Sequence, residues 1–267
     1  MENNSIKLNE KAEQFFLYEY FGIIRNPIYN AKGEIIVQED NNESAATKCA
    51  YRAYLDMCRT LNYKEESDPN RSFCIKCICS RMANILCTSD SLSQRRDKAY
   101  ELLTCDDQVQ ECFIDKLKQP KASEDPPYVN NNGKRSYRRF YYGQASKWIN
   151  MTIKYMWLIG ILEEDSEDIF EIPIDSIVMK AAFRDFQMMF PRDNKTYNVA
   201  FYQSGEIDFK RWNDYSPDAT MPWSKLEQLE YESIQSSIKS KTNDNPINWE
   251  CDAWIAQAVL DEKEKNK

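Results

Sequence analysis

GKRSYRRFYYGQASKWINMTIKYMWLIGIL, residues 133–162, is the stretch on which the reading of this chain turns. It opens with cations set among aromatics, Lys134, Arg135, Tyr137, Arg138, Arg139, Phe140, Tyr141 and Tyr142, and then enters the most apolar segment of the sequence. Ala145, Trp148, Ile149, Thr152, Tyr155, Met156 and Ile159 recur at the i, i+3, i+4, i+7 spacing of one helix face, while Met151, Ile153, Trp157 and Leu158 cover the opposite face. A helix that is apolar nearly all round is a buried one, so a central buried helix is predicted over 142–162. From Trp148 onward its only polar side chains are Asn150, Thr152 and Lys154. A lysine there must snorkel to water, pair with a carboxylate or lose its proton, because burial disfavours the ammonium form.

The 267 residues, 42% apolar and 13% aromatic, are ample for a core. Six glycines are few for Gly-rich phosphate loops or many tight hairpins, which favours helices. The chain has no histidine, so Ser-His-Asp and Cys-His hydrolases and His-ligated metal centres are excluded, and any catalysis falls to Asp, Glu, Lys, Cys, Tyr or Arg. A net charge of −8 opposes general attraction to nucleic acid. The cations of 134–154 form a local exception, because no acid lies among them. Nine cysteines, with no apolar leader in MENNSIKLNEK, point to free thiols in a reducing cytoplasm. No apolar run reaches the roughly 20 residues of a membrane span.

Working outward, 8–21 reads as an amphipathic helix and 22–37 as a small hairpin turning at Asn30-Ala31-Lys32-Gly33. Helices follow over 42–61, capped near Ser44, over 72–87, from Ser91 or Ser93 to Thr104, and from Asp106 to Lys118. Residues 119–132, QPKASEDPPYVNNN, read as an exposed loop. The predicted organisation is an N-terminal helical lobe over 1–118 and a C-terminal lobe over 133–267 built on the 142–162 helix. Beyond that helix an acidic loop at 163–168 leads to a helix opened by Asp175 and running to Phe190, then a hairpin at 198–212 and helices over 223–241 and 249–263. The fold class is mainly α, an orthogonal helical bundle of one or two lobes with one or two minor β-hairpins.

Cys74, Cys77, Cys79 and Cys87 have a spacing that invites a zinc or iron–sulfur reading. The same segment reads better as a core stripe of Phe73, Cys74, Cys77, Ile78, Met82, Ile85 and Leu86, cysteine being among the most often buried residues, and no metal and no cofactor are expected. Trp212, Trp223, Trp249 and Trp254 are candidate stacking platforms or core residues.

Lys154 and Asp175, on successive helices, form the constellation closest to chemistry. An amine can attack an anomeric carbon while a carboxylate supports the oxocarbenium-like sugar. With Lys154 in MTIKYMW and Pro173, Ile174 and Asp175 in IPIDSIV, the segment from Gly143 to Arg184 resembles the helix-hairpin-helix-Gly-Pro-Asp superfamily of DNA glycosylases, including its archaeal 8-oxoguanine type. That resemblance implies a Schiff-base lysine and an aspartate that assists departure of the base. The family's L-P-G-[IV]-G hairpin is absent. Its closest counterpart is Tyr142-Gly143-Gln144-Ala145-Ser146-Lys147, and if this is the hairpin, Lys147 replaces Lys154 as the nucleophile.

Two functions stay open. One is a DNA glycosylase/lyase-like enzyme using Lys154, Asp175 or Lys147, with DNA held through Lys134, Arg135, Arg138, Arg139, Tyr142 and Gln144. The other is a non-catalytic helical subunit that binds a protein partner, as in a bacterial operon, mobile-element or defence system.

Overall fold

The computed structural model describes residues 2–61, 71–106, 108–109, 128–129, 135–136, 140–162, 171–186, 188, 223–226, 228–243 and 245–265. The fold is mainly α. Its described helices are α1 (Glu2–Phe21), α2 (Asn42–Met57), α3 (Arg71–Leu86), α4 (Leu92–Cys105), α5 (Tyr142–Leu158), α6 (Ser176–Phe186), α7 (Gln228–Lys241) and α8 (Pro246–Lys265). Two short antiparallel hairpins accompany them, β1 (Ile28–Tyr29) with β2 (Ile35–Val37) and β3 (Tyr128–Val129) with β4 (Arg135–Ser136). Among the described residues no helix is long and apolar enough to cross a membrane.

α5 is the axis. Trp148, Ile149, Ile153 and Met156 are essentially fully buried, and the Trp148 indole N–H donates to the Ala50 carbonyl at 2.9 Å. The α2 face that meets α5 is made of small residues, Ala46, Cys49, Ala50 and Ala53, all fully buried. That lets the two helices approach closely enough for the indole to reach backbone. Ile75, Ile78, Cys79, Met82 and Leu86 of α3, with Leu92, Leu102 and Leu103 of α4, complete this first core. Burying each such aliphatic side chain contributes about 1.5–3 kcal/mol, and burial pushes the Cys49 and Cys79 thiols up to about 12.

A second core joins Ile172, Ile174, Val178, Met179 and Ala182 to Tyr231, Ile234 and Ile238 of α7 and Ile247 of α8. The Tyr231 hydroxyl links the two cores. It donates to the Ile172 carbonyl at 3.1 Å and accepts from the Asn150 amide at 3.0 Å, and burial pushes its pKa well above the usual phenol value. α5 therefore shares its main core with α2, α3 and α4.

Several local expectations need correction. α5 ends at Leu158, not 162, because Gly160 turns left-handed (φ +74°) and lets the Ile161 N–H donate back to the Met156 carbonyl at 2.9 Å. α2 is capped by Asn41, whose side chain accepts the Ser44 N–H at 2.8 Å, and not by Ser44 itself. The Ser44 hydroxyl donates instead to Asp40 at 2.6 Å. α1 begins at Glu2, ahead of residue 8. On α3 the buried face passes through Ile75 and Cys79, and Cys77 is exposed. The segment 223–241 divides into a short 3-10 turn (Trp223–Lys225) and α7. The Ser91 cap of α4 is present with its reciprocal Gln94 contact. The 198–212 hairpin, the acidic loop at 163–168 and most of 106–118 lie outside the described residues.

Candidate functional site

Asp175 is fixed by two local features. Ile172 and Ile174 are fully buried on either side of Pro173, which holds the segment extended. The carboxylate then caps α6, its Oδ1 accepting the N–H groups of Ile177 and Val178 at 2.9 Å each. This leaves Oδ2 facing elsewhere. It accepts from Lys147 Nζ at 3.0 Å and from the Trp254 indole N–H at 3.4 Å.

Lys147 stands on the first turns of α5 and is only 5% exposed. Its ammonium also lies 4.5 Å from the centroid of the Trp223 ring. That ring is brought there because α5 is pared to backbone at Gly143. The Gly143 N–H donates to the Leu226 carbonyl at 2.9 Å, and a Cβ at 143 would sit 2.2 Å from the Trp223 carbonyl oxygen. Gly143→Ala is accordingly expected to displace the 223–226 turn at a cost of about 1–3 kcal/mol. Chemical denaturation measures that loss, and a shifted tryptophan emission reports Trp223 leaving Lys147.

Lys154 lies two turns further along the same face and has a different partner. Its Nζ donates to Glu250 Oε2 on α8. Glu250 is 2% exposed; burial raises its carboxyl pKa, which Lys154 pulls back down and the nearby Asp175 charge raises again. The neighbouring Cys251 thiol is likewise pushed up by burial. The expected Lys154–Asp175 pair is thus corrected. The aspartate meets Lys147, because the start of α6 lies against the beginning of α5, while the lysine two turns on reaches α8.

Both pairs open onto one cleft of about 1030 Å³, with Trp223 and Trp254 among its lining residues. Part of its surface is a hydrogen-bonded network. The Tyr155 hydroxyl donates to Asp56 at 2.6 Å, the Arg52 guanidinium donates to the other Asp56 oxygen at 3.0 Å, and the same guanidinium lies 4.1 Å from the Tyr20 ring centroid. Burial raises the Tyr155 hydroxyl pKa beyond the ordinary phenol range, and its bond to Asp56 adds to the effect.

Of the proposed nucleic-acid contacts, Lys134, Arg138 and Arg139 lie outside the described residues, and Arg135 is described only as a backbone partner of Val129. Gln144 points inward. Its amide donates to the Thr60 carbonyl at 2.5 Å and accepts the Tyr141 N–H at 3.0 Å, so it clips the turn after α2 to α5 and cannot read a ligand. Tyr142 packs between the rings of Tyr100 and Tyr231, with burial pushing its hydroxyl to about 12. Of the four tryptophans singled out, Trp223 and Trp254 reach the cleft, the Trp249 indole donates to Asp185, and Trp212 lies outside the described residues. The cysteine series 74, 77, 79 and 87 splits between buried and exposed positions, and among the described residues no three His, Cys, Asp or Glu side chains gather as a metal would require. Glu250 was missed. The one signal for it was the demand that Lys154 find a carboxylate.

Comparison with family models, with curated proteins and with solved structures finds no match to this chain.

Proposed function

We propose that the cleft is the active site of a lysine-dependent N-glycosidase/lyase that acts on nucleic acids or their building blocks, with Lys147 as the amine and Asp175 as its partner. The observation that carries this reading is the 3.0 Å contact between Lys147 Nζ and Asp175 Oδ2 on the wall of an open cleft, beside Trp223 and Trp254. An amine becomes a nucleophile only after losing a proton, and Oδ2 is in place to take it. The amine lone pair then bonds to C1′ of the sugar, and the C1′–N bond breaks with its electrons going to the base, which takes the proton from Asp175. Transfer of a second proton from the attached nitrogen to the ring oxygen opens the sugar to an imine. Water adds to that imine, releasing an aldehyde sugar and the free amine. The net reaction consumes one water and yields base and sugar. Aromatic walls suit the base, since any base can stack on an indole face.

The test is borohydride trapping with two aldehydes, an abasic oligonucleotide and ribose 5-phosphate, followed by peptide mapping. The expected adduct lies on Lys147, persists in the double variant Lys154→Met with Glu250→Leu, which removes both charges of the neighbouring pair, and is lost in Lys147→Ala. Absence of an adduct with both aldehydes, or an adduct that survives Lys147→Ala, overturns the proposal.

One observation favours the second reading, a protein-binding subunit. Phe15 and Phe16 of α1 are 58% and 69% exposed, and Ile35 and Ile36 of β2 are exposed as well among the described residues; exposed apolar side chains that gather into a patch commonly mark a protein-binding surface. The trapping experiment separates the two readings.

A further inference from the structure

Among the described residues, the charged side chains that line the cleft do not balance. Lys147 is matched by Asp175, Lys154 by Glu250 and Arg52 by Asp56. The remaining cation is Arg59, which lines the same cleft, is exposed, and has no carboxylate partner among the described residues. Its position is not loose. It sits in the 3-10 turn Cys58–Thr60, and the next residue, Thr60, accepts the Gln144 amide at its carbonyl. Gln144 stands one helical turn before Lys147, so the turn that carries Arg59 is tied to the start of α5, and the side chains of Arg59 and Lys147 line the same cleft.

An arginine that no described carboxylate pairs, in a cleft whose other described charges are matched, is suited to one anionic group, above all a phosphate, whose oxygens match the guanidinium fork. Duplex DNA calls for another arrangement, in which several cations neutralise successive phosphates, whereas the described lining of this cleft leaves one cation without a carboxylate. The cleft volume of about 1030 Å³ is near the upper end for a small-molecule site. Trp223 and Trp254 offer the base a flat apolar surface beside Lys147.

We infer that the substrate is a single nucleotide, a nucleoside 5′-monophosphate whose phosphate is bound by Arg59 and whose C1′ is presented to Lys147. The inference rests on the amine reading above and adds the substrate class to it. The reaction is then nucleotide plus water to free base plus ribose 5-phosphate.

The test follows base release by chromatography from four substrates: the common nucleoside 5′-monophosphates, the matching nucleosides, a single-stranded oligonucleotide and a duplex. The wild-type protein is expected to release base from at least one monophosphate and to act far less well on its nucleoside. Arg59→Ala, at an exposed position that leaves the core intact, should raise KM for the monophosphate about tenfold to a hundredfold, the usual worth of a charge-assisted hydrogen bond. The same variant should hold kcat within about threefold and leave nucleoside turnover unchanged. Equal activity on nucleoside and monophosphate, release only from the polymers, or no release from any mononucleotide overturns the inference. In each of those cases a borohydride adduct on Lys147 keeps the amine chemistry standing, and its absence removes both.

Discussion

Asp175→Asn is expected to slow base release by about 10³-fold while keeping α6 in place. The two carboxylate oxygens have separate work, Oδ1 on the N–H groups of Ile177 and Val178 and Oδ2 on Lys147. An asparagine retains an amide oxygen that can cap the helix but supplies neither a proton acceptor for the amine nor a negative charge beside the developing oxocarbenium. A positioned general base commonly accounts for about 10²–10⁴ in rate. Asp175→Ala loses the cap as well. Both variants leave Lys147 without its carboxylate, so their difference in unfolding free energy isolates the cap, about 1 kcal/mol. Their common loss of rate isolates the charge. Single-turnover base release and denaturant titration read the two quantities independently. An asparagine variant within about threefold of the wild-type rate would reduce Asp175 to a helix cap.

The elements that carry this site were legible to very different degrees. The buried face of α5 follows directly from the spacing of Ala145, Trp148, Ile149, Thr152 and Met156, because a helix period is a local property. Asp175 at the head of α6 was legible for the same reason, since a Pro two residues before an Asp and an apolar run is a local start signal. The end of α5 was not, because Ile159, Ile161 and Leu162 continue the apolar run and only the conformation of Gly160 stops the helix. Which lysine meets which acid was beyond reach. Lys147 and Lys154 share a face two turns apart, and the acid that takes Lys154 lies 96 residues away on α8. No spacing rule links such positions; docking of α8 decides it. Glu250 stands between Trp249 and Cys251 as an ordinary helical acid, and its burial arises only from tertiary packing. Trp223 and Trp254 were visible as large aromatics, but separating a cleft wall from a core residue required knowing that Gly143 admits the 223–226 turn.

Breaking the Lys154–Glu250 pair from either side should destabilise the fold strongly, and the two sides should differ in their dependence on pH. Glu250→Leu leaves an ammonium facing apolar side chains of α8, with loss expected near the lower end of the about 3–5 kcal/mol typical of orphaned buried charges, because Lys154 retains access to the cleft. Lys154→Met leaves the more deeply buried carboxylate. That group can escape by taking up a proton, so the variant should be markedly more stable at pH 5 than at pH 8. The wild type should show a weaker form of the same trend. Burial raises the folded pKa of Glu250 above 4.5, so between that value and its folded pKa the native chain binds more protons than the unfolded one, and stability falls as pH rises through the window. Below 4.5 the contribution is fully present. Lys154→Met combined with Glu250→Leu removes both charges and fills the space with apolar side chains, so it should recover most of the loss from either single change and lack this pH slope. Urea titrations of the four proteins at pH 5 and pH 8 give the coupling directly. Additive single losses, with no recovery in the double variant, would mean that the two groups do not act as a pair and that α8 is held to α5 by its apolar contacts alone.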